Sequence, residues 1–179
     1  MLGLGLGINR SNIMPIEKII LNPTQDCFVN VWDPDTVYNG SGLEVYNGGI
    51  ADSLYSLIHF DLTQIIGKTI NTATLKLYAN DLTQPTTIGI KMVASNWNEE
   101  TVTYNTRPSI GSTVYYNEAV DVGSNSWKTF NIKTLVQAVA DGAMYEGIWM
   151  YVTNIVDDYR WCQFCSSEGA NVPILEISC

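Results

Sequence analysis

Acid–base chemistry has few candidates in this chain. The only histidine, His59, sits in an apolar stretch beside Phe60 with no nucleophile at a readable spacing, and catalysis needs convergent groups. Glu99 and Glu100 are adjacent, so in an extended segment their carboxylates point to opposite faces and do not flank one glycosidic bond. No Gly-x-Ser-x-Gly elbow occurs. No catalytic residue is expected, and the chain reads as a non-enzyme.

Metal chemistry has two candidate segments. Asp33-Pro34-Asp35 followed by Asn39 places three oxygen-bearing side chains on one loop, as a hard cation needs. Calcium takes six to eight oxygens, and Asp-Pro is also ordinary turn chemistry. A structural Ca²⁺ held by Asp33, Asp35 and Asn39 is therefore the one cofactor considered; no other is expected. Cys162-Gln163-Phe164-Cys165 has the spacing of a zinc pair, but residues three apart on a strand face opposite sides. A closed site would also need Cys27 and Cys179 to converge on it, so buried thiols are the expected state.

Aromatic rings are the informative surplus, with five Trp and ten Tyr in 179 residues. Rings bind sugars by stacking on their C–H faces while polar groups fix the hydroxyls. Tyr159-Arg160-Trp161 sets a forked cation between two rings, and Trp32 and Tyr38 flank the acidic loop. These five residues are the expected carbohydrate-binding set. Trp149 and Tyr151 face opposite to Ile148 and Met150, so one of the two pairs is exposed or lies beneath a loop.

The elements that must carry these residues are strands. Ala73, Leu75, Leu77 and Ala79 alternate with Thr74, Lys76 and Tyr78; Ile88, Ile90, Met92 and Ala94 show the same period of two, as do Ile148, Met150 and Val152. Further strands fit residues 27–32, 43–46, 54–60, 113–116, 127–132, 161–165 and 174–178, punctuated by Asn-Gly turns. About ten short strands in one domain point to a β-sandwich. One helix is expected over 132–141, with Asn131 as N-cap and Gly142 as its stop.

At the N-terminus Leu2, Leu4, Leu6 and Ile8 alternate with Gly3, Gly5, Gly7 and Asn9. Such a segment is apolar on one face and nearly bare on the other, so it gains order by pairing with a sheet edge or a groove. Residues 1–21 are accordingly expected to be an extended assembly arm, contacting other subunits or a second copy of the chain, and 22–179 the sandwich domain. A formal charge of −9 repels phosphate backbones and anionic headgroups, so neither nucleic acid nor membrane is an expected partner. No run of 18 apolar residues spans a bilayer, and residues 1–9 lack a cationic leader; the expectation is synthesis in a reducing compartment with free thiols.

The order of these segments resembles the DNRLRE domain family, also called disaggregatase-related repeats, which overlaps a family of carbohydrate-binding modules. The resemblance covers roughly residues 22–179. It is carried by Ser56-Leu57-Ile58-His59-Phe60-Asp61-Leu62, by Ala73-Thr74-Leu75-Lys76-Leu77-Tyr78, and by Trp97-Asn98-Glu99-Glu100-Thr101-Val102-Thr103-Tyr104 with Arg107-Pro108. Trp127 to Val139 and Phe164-Cys165-Ser166-Ser167-Glu168 with Pro173-Ile174-Leu175 complete it. It implies a jelly-roll β-sandwich, a structural role for Trp97 and Trp127, and first and last strands side by side, which would bring Cys27 near Cys179. Leaderless sandwiches with apolar arms also resemble bacteriophage virion proteins in architecture. The expected role is thus a virion decoration, fibre or tail protein, made in the host cytoplasm and touching host-surface glycan. The alternative is a free-standing extracellular carbohydrate-binding or adhesion module.

Overall fold

The computed structural model describes residues 16–40, 42–49, 53–82, 85–154 and 162–179. Leu2, Leu4, Leu6 and Ile8 of the expected arm, and Tyr159, Arg160 and Trp161 of the expected sugar site, lie outside them.

Alternating sequence becomes alternating burial. The strands are β1 (Lys18–Leu21), β2 (Gln25–Asn30), β3 (Gly42–Asn47), β4 (Ser53–His59), β5 (Thr72–Leu82), β6 (Thr86–Val93), β7 (Ile110–Val120), β8 (Ser126–Asn131), β9 (Ile148–Val152), β10 (Cys162–Cys165) and β11 (Ile174–Ser178), with α1 at Lys133–Ala140. On β5, Ala73, Leu75, Leu77 and Ala79 are all buried while Thr74, Lys76 and Tyr78 turn outward. The fold is an all-β, jelly-roll sandwich with one short helix.

Two sheets curl into one. Around β5, β8 pairs along one edge, while β11 and β10 lie end to end along the other. Around β4, β2 pairs along one edge and β9 along the other, followed by β6 and β7. β3 joins the halves: Gly42–Val45 pair with β10, whereas Tyr46 and Asn47 pair with Leu54 and Ser53 of β4. All these pairings are antiparallel. Between the sheets lies the main core, including Phe60, Leu75, Leu77, Ile90, Met150 and an edge-to-face chain from Tyr116 through Phe130 to Phe164. α1 closes one end through Leu135, Val136, Val139 and Ala140. The Asn131 carboxamide accepts from Lys133 N at the helix start, and Gly142 ends it at φ +97°.

Two expectations are corrected here. Residues 18–21, assigned to the arm, are β1, paired with β11 from Lys18↔Ser178 to Leu21↔Leu175. Because β1 occupies one edge of β11 and β5 the other, Cys179 meets Glu17 through reciprocal backbone hydrogen bonds and not Cys27. Cys27 lies on β2, paired with β4 in the other half, in a separate apolar cluster. The four thiols are free. Burial pushes the Cys27 thiol well up and that of Cys162 to about 11.

Candidate functional site

The second apolar cluster builds the site. The outward face of the β4 half is not left to solvent: Cys27, Val29, Leu57, Val93 and Trp149 are covered by residues 94–109, which lay Trp97 and Val102 across them. The Trp97 indole is 7% exposed and donates from Nε1 to Glu146 O at 2.7 Å. Gly147 makes room for it, with φ at +136° and an added Cβ lying 3.0 Å from Ile58 O and 3.3 Å from Trp97 Nε1. The same loop is stapled to itself, since Asn98 O accepts from Thr101 N and Val102 N, and Thr103 and Thr106 exchange hydroxyl and backbone bonds.

Where this loop descends to the sheet, a shallow groove of about 300 Å³ opens between Tyr55, Lys91, Tyr104, Arg107, Ile110, Trp149 and Tyr151. Cross-strand register sets most of it: Trp149 pairs with Leu57 and Lys91, and Tyr151 pairs with Gly89. Tyr55 stacks on Trp149 at 4.7 Å and lies near-parallel to Tyr104 at 6.3 Å. Each cation is held against a ring, with the Arg107 guanidinium 3.9 Å from the Tyr104 centroid and Lys91 Nζ 5.5 Å from that of Tyr151. Arg107 Nη1 also donates to Tyr104 O, so the guanidinium is fixed before any ligand arrives. Burial raises the Tyr151 phenol above its ordinary value, leaving it a protonated donor. Among the described residues the groove is lined by no carboxylate, histidine, serine or cysteine.

The aromatic residues named for sugar binding that can be placed lie elsewhere. Trp32 is 53% exposed, its ring 5.9 Å from Tyr46. Tyr38 stacks on Phe28 at 4.5 Å and donates from its hydroxyl to Asp33 Oδ2. The three named calcium donors are each engaged by a different neighbour: Asp33 by Tyr38, Asp35 Oδ1 by Asn105 Nδ2, and Asn39, whose amide donates to Glu100 Oε2. The carboxylates the fold gathers instead are Asp26, Glu99 and Glu168, with oxygens within 4.8 Å of one another. They tie loops together. Glu99 accepts Asp26 N, which β2 leaves unpaired at its edge, and Asp26 accepts Ser167 N. His59 meets Thr24 Oγ1 through Nδ1 at 2.6 Å and stacks on Tyr145; burial lowers its pKa.

Trp149 and Tyr151 carried a readable signal, because their alternation against Ile148 and Met150 puts them on the outward face. Tyr104 and Arg107 sit in an aperiodic segment, and Tyr55 reaches them only through pairing of distant strands. Trp127, assigned to structure, is 43% exposed on the outer face of the β5 half, edge-on to Tyr78. A sequence model of carbohydrate-binding module family 96 matches residues 17–179. No curated protein matches the chain.

Proposed function

The chain belongs to carbohydrate-binding module family 96, and from that premise we propose that it is a non-catalytic glycan-binding protein whose site is the ring-lined groove over β4, β6 and β9. The observation that carries this reading is the gathering of Tyr55, Tyr104, Trp149 and Tyr151 with two ring-held cations. The exposed edges and faces of the tyrosines take the apolar face of a sugar, while Arg107, Lys91 and the Tyr151 hydroxyl donate to its oxygens. Little ordering is left for binding to supply, because Tyr104 fixes Arg107 and Trp97 fixes the loop.

A net charge of −9 disfavours polyanions at long range, so a neutral glycan is the expected ligand. The test is an array of neutral and uronic polysaccharides. Tyr104→Ala and Tyr151→Ala should each weaken binding at least tenfold, or about 1.4 kcal/mol, with the β-type circular dichroism unchanged. Binding that survives both substitutions and is lost in Trp32→Ala or Trp161→Ala would move the site to the rings first expected. The finer role as a virion decoration protein, with a free-standing extracellular module as its alternative, rests on the alternation of Leu2, Leu4, Leu6 and Ile8 and is tested through assembly.

A further inference from the structure

Glycine in the interior of a strand weakens it, since it contributes no packing and loses the most backbone freedom on folding. Gly89 nevertheless sits near the middle of β6, flanked by Ile88 and Ile90, whose side chains fill the main core. Its backbone is not among the positive-φ glycines, so conformation does not require glycine there. Space does. A Cβ at residue 89 would press on Tyr151 Cζ, and would lie 2.6 Å from Tyr151 Cε1 and 2.8 Å from Thr153 Cγ2. Tyr151 is the cross-strand partner of Gly89, and its ring lies over the glycine. The same ring faces Lys91, two residues along β6 on the same side of the sheet.

We propose that Gly89 is a positioning residue for the glycan groove: its bare Cα seats the Tyr151 ring flat across β6, and so fixes both that ring and the Lys91 ammonium against which a sugar is held. The inference rests on the groove reading given above. The atoms that an alanine would meet are the far end of a tyrosine and a threonine methyl, not backbone, so they can swing away without disturbing the sheet. Gly89→Ala should thus displace the ring while the fold stands. A merely structural glycine would show the reverse.

A double-mutant cycle on the full chain decides it, with cellohexaose and hexagalacturonate as probes in calorimetric titration. Tyr151→Ala is expected to weaken binding of the recognised probe at least tenfold, and Gly89→Ala to weaken it comparably, with a thermal midpoint within a few degrees of the parent. Gly89→Ala should then cost nothing further in the Tyr151→Ala background, because the ring it positions is gone. Parent-like affinity in Gly89→Ala, or an equal loss in both backgrounds, overturns the proposal. An unaltered affinity in Tyr151→Ala, or a parent protein that binds neither probe, overturns the groove reading and the proposal with it. Ring seating is read independently of any glycan: the Gly89 Hα resonances should be shifted upfield by the Tyr151 ring current and return in Tyr151→Ala. Unshifted resonances in the parent overturn the positioning claim by itself.

Discussion

Asp26 is fully buried beside two other carboxylates, Glu99 and Glu168. Ser166 Oγ lies 2.8 Å from Gly40 O and 2.7 Å from Glu168 Oε2, while Ser167 Oγ lies 2.8 Å from Glu168 Oε1 and 3.2 Å from Asp26 Oδ1. Each hydroxyl carries one proton, so a protonated Asp26 can donate to Ser167 Oγ while that hydroxyl donates to Glu168 Oε1. Burial, and then the charge of Glu168, push the Asp26 pKa up to about 7. The folded chain therefore holds a proton that the unfolded chain releases near pH 4, and the stability this contributes is lost as pH rises through about 7. Asp61 and Glu176, whose carboxyls are shifted downward by hydrogen bonds, act in the opposite sense, so the informative quantity is a difference between variants. Thermal midpoints measured from pH 4 to pH 8 should fall more steeply in the parent than in Asp26→Asn, which cannot titrate. A parent curve that rises relative to Asp26→Asn across that window refutes the assignment.

The segment 94–109 has no regular periodicity, yet it determines whether the outer face of the β4 half is a site or bare sheet. Trp97 is its anchor, and removing the indole leaves a cavity over Leu57 and Trp149 and an unpaired carbonyl at Glu146. Trp97→Ala should cost about 3–5 kcal/mol, read as a lowered denaturation midpoint, and should abolish glycan binding because Tyr104 and Arg107 travel with the loop. Trp97→Phe keeps most of the packing and loses the hydrogen bond, so a cost nearer 1 kcal/mol with binding retained is expected. Equal costs for the two variants would mean that packing is not what holds the loop. How much was legible in the sequence follows from the same contrast. Strands such as Thr72–Leu82 and Ile148–Val152 announce themselves, since a period of two is a local signal and their buried residues obey it. The four residues of β1 were missed because Lys18–Leu21 is ordered by pairing with β11 at the other end of the chain, and no local pattern encodes that. The groove was readable in part, since alternation puts Trp149 and Tyr151 on the outward face of the sheet, whereas Tyr55, Lys91, Tyr104 and Arg107 are brought to them by non-local register.

The way the two ends of the sandwich meet bears on what the segment before it does. Glu17 and Cys179 exchange backbone hydrogen bonds of 2.9 and 3.1 Å, and β1 then runs along β11 as the outermost strand of the β5 half. The exposed Glu17–Lys68 ion pair at 2.6 Å adds little to this closure. Among the described residues both apolar clusters are built from Ile19 onward, and residues 1–9 lie outside those residues. Residues 1–9 carry four aliphatic side chains at a period of two, on a glycine-rich backbone that gains most from pairing with a partner's edge. Deleting residues 1–9 should therefore leave the thermal midpoint and the glycan affinity of the groove at parent values. The same deletion should convert an assembled species to monomer in light scattering coupled to size exclusion. A truncated chain that assembles like the parent removes the arm from the assembly role and leaves the free-standing module as the better account. A truncated chain that unfolds would show that the arm belongs to the domain's own core.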